Sequence, residues 1–404
     1  MPSAVVLYVA LIMLLQFGAT PVQASVFGAL LFLPWVTKSY LYSKVRKAGR
    51  FKRYIHVAEV LMFLCLMGIA VYLTNNRVAL WVLFCFLFVL SCLCAWHELL
   101  TRLYFSRMLV PRQQKLFIGT KLLSSQMVQV VTYGVLIIVA GFFEVFFRSY
   151  QKAWAMESSL VAGGFLLMLV LNIIVLRNPR TATPPRRESL TSTVKSELHI
   201  LARIQQKPHV AAVLISFALL LLPQALLFNT RVFFLLATSQ QGGLECSVQE
   251  VGFAQGTIGV LAFSVGMILG RALMKRYGSA AMFWWTAIVL TLSPLSYLLM
   301  AQNPQPGKLL LICCVTFFAQ MCFGFGLNVC RPFVAYISEQ RYRNTTNYLY
   351  VPLVASLMLV PMMLSGWLST ELGYRVFFFL CVAAAPVAWC VLMICKTKTI
   401  LLNE

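Results

Sequence analysis

The chain has 404 residues, 60% of them hydrophobic and only 11% charged, about half the charged share of a soluble domain. That composition excludes a soluble globular protein, and a mean hydropathy of +0.83 over the whole length excludes a soluble domain on a single anchor. The net charge of +22 raises nucleic acid as a partner, but the basic residues sit in short stretches between apolar runs, as membrane topology demands.

About 20 mainly apolar residues are needed to cross about 30 Å of hydrocarbon. The first apolar run, 3–17, is short. Residues 4–15 followed by Val22-Gln23-Ala24 imitate a secretion signal. No Lys or Arg precedes them, however, and another apolar run follows at once, so 3–17 reads as a shortened first helix. The next five runs are 24–43, 56–74, 78–100, 116–146 and 157–176. A polar stretch, 177–207, then intervenes, with Pro179, Pro184, Pro185 and an Arg/Ser/Thr-rich run. Six further runs follow at 209–237, 248–274, 280–300, 308–331, 346–368 and 374–395. The expected fold is an all-α polytopic membrane protein of twelve transmembrane helices. Its expected units are a six-helix half over 1–176, a basic cytoplasmic linker over 177–207 and a second six-helix half over 208–404. That 6 + 6 plan is similar to the major facilitator superfamily, whose halves are related repeats.

Charge fixes the expected orientation. With the N-terminus inside, the segments after the even-numbered helices hold 24 basic residues, and the opposite side holds only Arg77, Arg148, Lys152, Lys308 and Arg375. A missed helix would scramble this alternation, so a cytoplasmic (inner) membrane location with both termini cytoplasmic is expected. Of twelve Cys, all but Cys246 lie in apolar runs, where a thiol is a small apolar filler. Their spacing fits no metal site, and no cofactor is expected.

Polar residues inside apolar runs are costly and mark function when they face a cavity. In the fourth run, His97-Glu98 precede Arg102. Glu98 and Arg102 have the spacing of a helical ion pair, and His97 could pass Glu98 a proton; a charged cluster at the interface is the plainer alternative. The fifth run carries Lys121, Ser125, Gln129 and Thr132 on one side, and the seventh carries Gln224 and Arg231 seven residues apart. Lys121 and Arg231 are cations without a carboxylate nearby in sequence. An anionic solute could supply the counter-charge, as could a Glu on another helix, or the side chains could snorkel to the interface. In the eighth run, Gly252, Gly256, Gly259, Gly266 and Gly270 share one stripe at 100° per residue, for static packing or for sliding. In the tenth, Gln320, Gly324, Asn328 and Arg331 fall within about 80° of one another.

A membrane enzyme is the competing class. The chain has no HExxH, no GxSxG and no Asp at all, which removes the usual hydrolytic and metal-assisted routes.

Residues 29–38, Ala-Leu-Leu-Phe-Leu-Pro-Trp-Val-Thr-Lys, resemble the second helix of the AmpG-type muropeptide permeases. The resemblance continues through His97-Glu98 with Tyr104-Phe105, Phe117-Ile118-Gly119 and Ala140-Gly141-Phe142-Phe143-Glu144. It resumes at Gly242-Gly243-Leu244, Gly256-Thr257-Ile258-Gly259-Val260, Phe323-Gly324-Phe325-Gly326 and Ser365-Gly366-Trp367-Leu368, covering nearly the whole chain. It implies a major facilitator fold and proton-driven import of anhydro-sugar peptides from cell-wall turnover. Ionisable positions depart from that pattern. Arg102 stands for an Asp, Ala319-Gln320 for Glu-Gln, and Asn344-Thr345-Thr346-Asn347 for a Lys-Thr-x-His stretch. Aligned on Leu33-Pro34-Trp35, the chain begins midway through the family's first helix.

The expectation is a monomeric secondary transporter of a small solute working by alternating access, with the lipid bilayer as surroundings and protons as partners if it is coupled. Lys121, Arg231 and Arg331 would attract the solute; Gln129, Gln320 and Asn328 would orient it; His97 and Glu98 would respond to protons. A degenerate membrane sensor or partner protein of the same fold, no longer transporting, is the alternative.

Overall fold

The computed structural model describes residues 3, 5–47, 51–75, 77–109, 124–176, 209–305, 307–337 and 343–403. The expected linker 177–207 lies outside them, apart from its neighbours at either end. Among the described residues the only regular structure is helical, because hydrocarbon offers no partner for a backbone N–H or C=O and a helix satisfies both internally.

We number the helices in chain order. α1 runs Val5–Gln16, α2 Pro21–Lys47, α3 Phe51–Leu73, α4 Leu80–Met108, α5 Ser124–Phe147 and α6 Tyr150–Val175. α7 runs Val210–Leu236, α8 Val248–Tyr277, α9 Ser279–Gln302 and α10 Leu309–Tyr336. α11 (343–372) and α12 (374–394) are two helices joined at Gly373, whose φ of +72° and ψ of 157° turn the chain between them; only glycine takes that conformation without strain. A last short helix, α13, is Thr397–Asn403.

Most of the described bounds lie within about five residues of the expected ones; α4 runs eight residues past its expected end, to Met108, and α6 departs at its start. α6 starts seven residues early, at Tyr150, because Ser149 caps it by accepting from the Lys152 backbone N–H at 3.4 Å. That places Glu157 well inside the helix. At about 1.5 Å per residue, the described stretch Val5–Gln16 of α1 spans some 18 Å. Its successor starts with a reciprocal cap: Gln23 N–H donates to Thr20 Oγ1 at 3.2 Å, and Thr20 N–H to Gln23 Oε1 at 3.1 Å, with Pro21 in the first turn.

Packing builds from small residues and apolar stripes. α3 lies against α4 and α6, α2 against α4, α8 against α10, and α7 against α12, where the Phe234 ring packs at a tilt on Tyr374 and edge-on to Phe378, with centroids 5.3 and 5.2 Å away. Two long seams tie these groups together. In the first, α2 meets α11 so closely that a Cβ on Gly366 would strike the Pro21 carbonyl, and Ser25 Oγ donates to the Met363 carbonyl at 2.9 Å. In the second, α5 meets α8 around Gly134 and Gly256, where a Cβ on Gly256 would strike the Tyr133 carbonyl.

The glycine stripe of α8 needs correction. Gly252 and Gly256 face α5, but Gly259, Gly266 and Gly270 face Gln320, Met321 and Asn328 of α10. Residues Gly252–Gly259 form a π-helical stretch, whose wider turn advances each residue by less than 100°. The stretch rotates one expected stripe into two faces. Asn328 and Arg331 part for a related reason: the tighter turn Leu327–Val329 leaves Asn328 buried against α8 and Arg331 exposed.

Candidate functional site

The most informative group in the middle of the bundle is Arg231. The helix carrying it, α7, is buried along most of its length, including Gln224, Asn229, Thr230 and Arg231. Gln224 is anchored by donating to the Leu290 carbonyl of α9 at 2.7 Å. About two turns further on, the Arg231 guanidinium lies 5.0 Å from the Phe228 ring centroid and beside the hydroxyls of Tyr8 and Tyr133. Those two tyrosines stack at 4.3 Å, joining α1, α5 and α7 in one aromatic box. Arg231 is 6% exposed and its Nε has no hydrogen-bond partner. Among the described residues no carboxylate pairs with it.

A second polar group adjoins this box through Tyr133, which lies within electrostatic reach of both Arg231 and Tyr297. Gln255 of α8 donates to Tyr297 Oη at 2.8 Å and to Thr316 Oγ1 at 3.3 Å, and Gln320 donates to Gln255 Oε1 at 3.5 Å. The result is two polar groups: Arg231 with Tyr133 and the half-buried Tyr8 between α1, α5 and α7, and Gln255 with Tyr297, Thr316 and Gln320 between α8, α9 and α10.

Of the expected binding residues, Arg231 sits in the first group and Gln320 in the second. Gln129 is half-buried on α5, one turn from Tyr133. Asn328 donates to the carbonyls of Phe325, Gly324 and Met267 at 3.0, 3.4 and 3.5 Å, which fastens α10 to α8. Arg331 is exposed at the far end of α10. Lys121 lies outside the described residues. Tyr8, Tyr133, Gln255, Tyr297 and Thr316 were not anticipated. Gln255 had a signal, an amide in the middle of an apolar run; the tyrosines had none, because a membrane-spanning Tyr reads as filler.

His97 and Glu98 are neighbours in sequence but point into different networks. Glu98 Oε2 accepts from Trp35 Nε1 at 2.7 Å, while Glu98 Oε1 pairs with Lys38 at 3.2 Å and with Arg102. The Pro-Trp-Val-Thr-Lys run of α2 thus serves to hold a carboxylate of α4. His97 Nε2 instead meets Glu59 Oε1 at 3.1 Å, and the same carboxylate takes Asn172 Nδ2 and lies 3.5 Å from His56 Nδ1. Glu59 is fully buried and ties α3, α4 and α6 together.

A cavity of about 980 Å³ opens at the end of the bundle that carries the loops after α1, α5 and α7. Gln16 spans its wall, donating to Glu144 Oε2 at 2.9 Å and accepting from Trp154 Nε1. Arg148 and Gln249 also line it, and none of the expected binding residues that are described does.

No protein-family model matches the chain, and no curated protein does. Solved structures do resemble it. A bacterial homologue of the human lysosomal transporter Spinster, in an inward-facing and occupied conformation, superposes with a TM-score of 0.71 at 13% identity over 98% of this chain and 93% of that one. The nucleoside transporter NupG gives 0.69 at 11% identity over 98% and 95%. The inward-open xylose transporter XylE from E. coli gives 0.63 at 13% identity over 96% and 92%. Likeness at this identity establishes fold. The chain is a multi-pass membrane protein with the twelve-helix fold of the major facilitator transporters.

Proposed function

We propose that the chain is a secondary active transporter that carries a small anionic solute across the cytoplasmic membrane by alternating access. Residues 1–176 and 208–404 are the two moving halves, 177–207 is the linker between them, and both termini are cytoplasmic. The sugar, nucleoside and other solute transporters that share the fold support the class of activity. The observation that carries the solute's charge is Arg231: a buried cation, set among aromatic rings and hydroxyls, with no carboxylate partner among the described residues. An uncompensated charge at membrane depth is costly, and a solute carboxylate would offset it. Gln129, Gln255 and Gln320 supply neutral donors and acceptors suited to hydroxyls and amides. A solute with sugar hydroxyls, peptide amides and a carboxylate fits that inventory, which makes an anhydromuropeptide the first candidate, in line with the sequence resemblance. Lys121 and Arg331 serve as further attracting cations along the path.

Proton coupling in this reading uses His97 with Glu59, since Glu98 is engaged by Lys38 and Arg102. The test is uptake of a labelled anhydromuropeptide into proteoliposomes under an imposed proton gradient. Gradient-dependent accumulation is the expected result; none, with the protein verified as folded, would reject this substrate. The second reading, a non-transporting sensor of the same fold, draws on the same ion cluster, because Arg102 stands where the resembled permeases have an acid. Gln320→Ala separates the two: a transporter loses flux, whereas a sensor has none to lose and keeps its partner.

A further inference from the structure

Away from these polar groups, a groove of about 490 Å³ runs along the outer flank of α3 and α6. Its lower walls are aliphatic and face the bilayer: Val60, Leu61 and Ile173 are all exposed. Its head is basic, formed by Lys52, Arg53 and His56. Among the described residues neither Lys52 nor Arg53 has an ion-pair partner. His56 turns Nδ1 toward Glu59 at 3.5 Å, and its Nε2 is buried without a hydrogen-bond partner.

Three further facts bear on what fills this groove. Lys52 and Arg53 lie in the first turn of α3, which begins at Phe51, so the positive end of the helix dipole lies beside them. From Lys52 to Leu61 the helix climbs about 14 Å, the depth of a headgroup followed by the upper part of an acyl chain. This is also the end of the bundle where Lys and Arg concentrate, the side that faces an anionic leaflet.

We propose that the groove binds one anionic phospholipid. Its phosphate is held by Lys52 and Arg53, with His56 at the floor of the groove beneath it, and one acyl chain lies along Val60, Leu61 and Ile173. A zwitterionic lipid presents the same phosphate but brings an ammonium to a cluster of cations, so it is disfavoured. Through His56 the headgroup meets Glu59, and through Glu59 it meets His97 and Asn172. The lipid therefore sits where it braces α3 against α4 and α6. The proposal is independent of the transport reading.

Native mass spectrometry of the full chain released from nanodiscs of equal phosphatidylcholine and phosphatidylglycerol tests it. The wild type is expected to retain one phosphatidylglycerol with roughly ten- to thirty-fold preference, the scale set by two basic residues at a membrane surface. Lys52→Gln with Arg53→Gln should bring the preference to parity. Val60→Trp, which fills the groove and keeps the cations, should also abolish retention. Lys275→Gln with Arg276→Gln, at the end of α8 on the same side, should leave it intact. Equal retention of both lipids by the wild type would overturn the proposal. So would a preference that survives Val60→Trp, or one that falls equally with the α8 pair, since either would mean diffuse interfacial charge without a built site. Melting in detergent verifies that each variant is folded.

Discussion

Charge and hydrogen bonding in individual side chains decide the chemistry here, and Arg231 is the plainest case. Its cationic head is fixed by Phe228 and the two tyrosine hydroxyls but is not neutralised by an acid among the described residues. Truncating one partner of a buried charge pair costs about 2–5 kcal/mol. Arg231→Gln should therefore weaken binding of an anionic solute by at least about thirty-fold, measured by ligand-induced thermal shift, with little change in the melting temperature of the unliganded protein. Glu98 makes the opposite prediction. Replacing it with Gln leaves Lys38, 6% exposed, without its counter-charge, and breaking a buried ion pair from one side costs about 3–5 kcal/mol. Glu98→Gln should lower the melting temperature by several degrees whatever the solute. Sequence alone located Arg231, Gln320 and Glu98 as polar residues in apolar runs. It could not tell that the adjacent His97 and Glu98 serve different partners, because consecutive residues of a helix point about 100° apart and only packing shows what lies in each direction.

At the level of elements, local irregularities account for what periodicity missed. The glycine spacing of α8 reads as one face only while every residue advances by 100°. The π stretch Gly252–Gly259 breaks that premise and deals the glycines between α5 and α10. Gly256 is the closest approach of the α5–α8 seam. A Cβ there would meet the Tyr133 carbonyl and the Gly134 backbone, neither of which can swing aside as a side-chain tip could. Gly256→Val should cost about 1–3 kcal/mol of overpacking, read as a drop in melting temperature. It should slow transport more than Gly163→Val on α6, where an added Cβ meets nothing within 4 Å. Helix starts depend on caps that periodicity does not weigh: Ser149 draws α6 back to Tyr150, Thr20 with Gln23 starts α2, and Ser247 with Glu250 starts α8.

For the whole molecule, hydropathy sufficed for nearly every span, since the bilayer imposes both length and backbone satisfaction on each crossing. The two seams, α2 on α11 and α5 on α8, were not legible, because they depend on which small residues meet across more than a hundred positions of chain. Charge supplied an orientation that the coordinates alone do not carry. Single cysteines in a background lacking reactive native thiols test it: a cysteine at Lys275 should be labelled only from the cytoplasmic side, and one at Lys308 only from outside. The reverse pattern would invert the topology.

The central claim is that this fold carries an anionic solute held by Arg231, and solute counterflow tests it most directly. Proteoliposomes are loaded with unlabelled anhydromuropeptide and diluted into a trace of labelled solute with no proton gradient, so that carriage is measured apart from coupling. The account predicts transient accumulation of label by the wild-type protein and its loss in Arg231→Gln at unchanged melting temperature. Equal counterflow by both proteins would contradict the assignment of Arg231, and no counterflow by folded wild-type protein would contradict carriage of this solute.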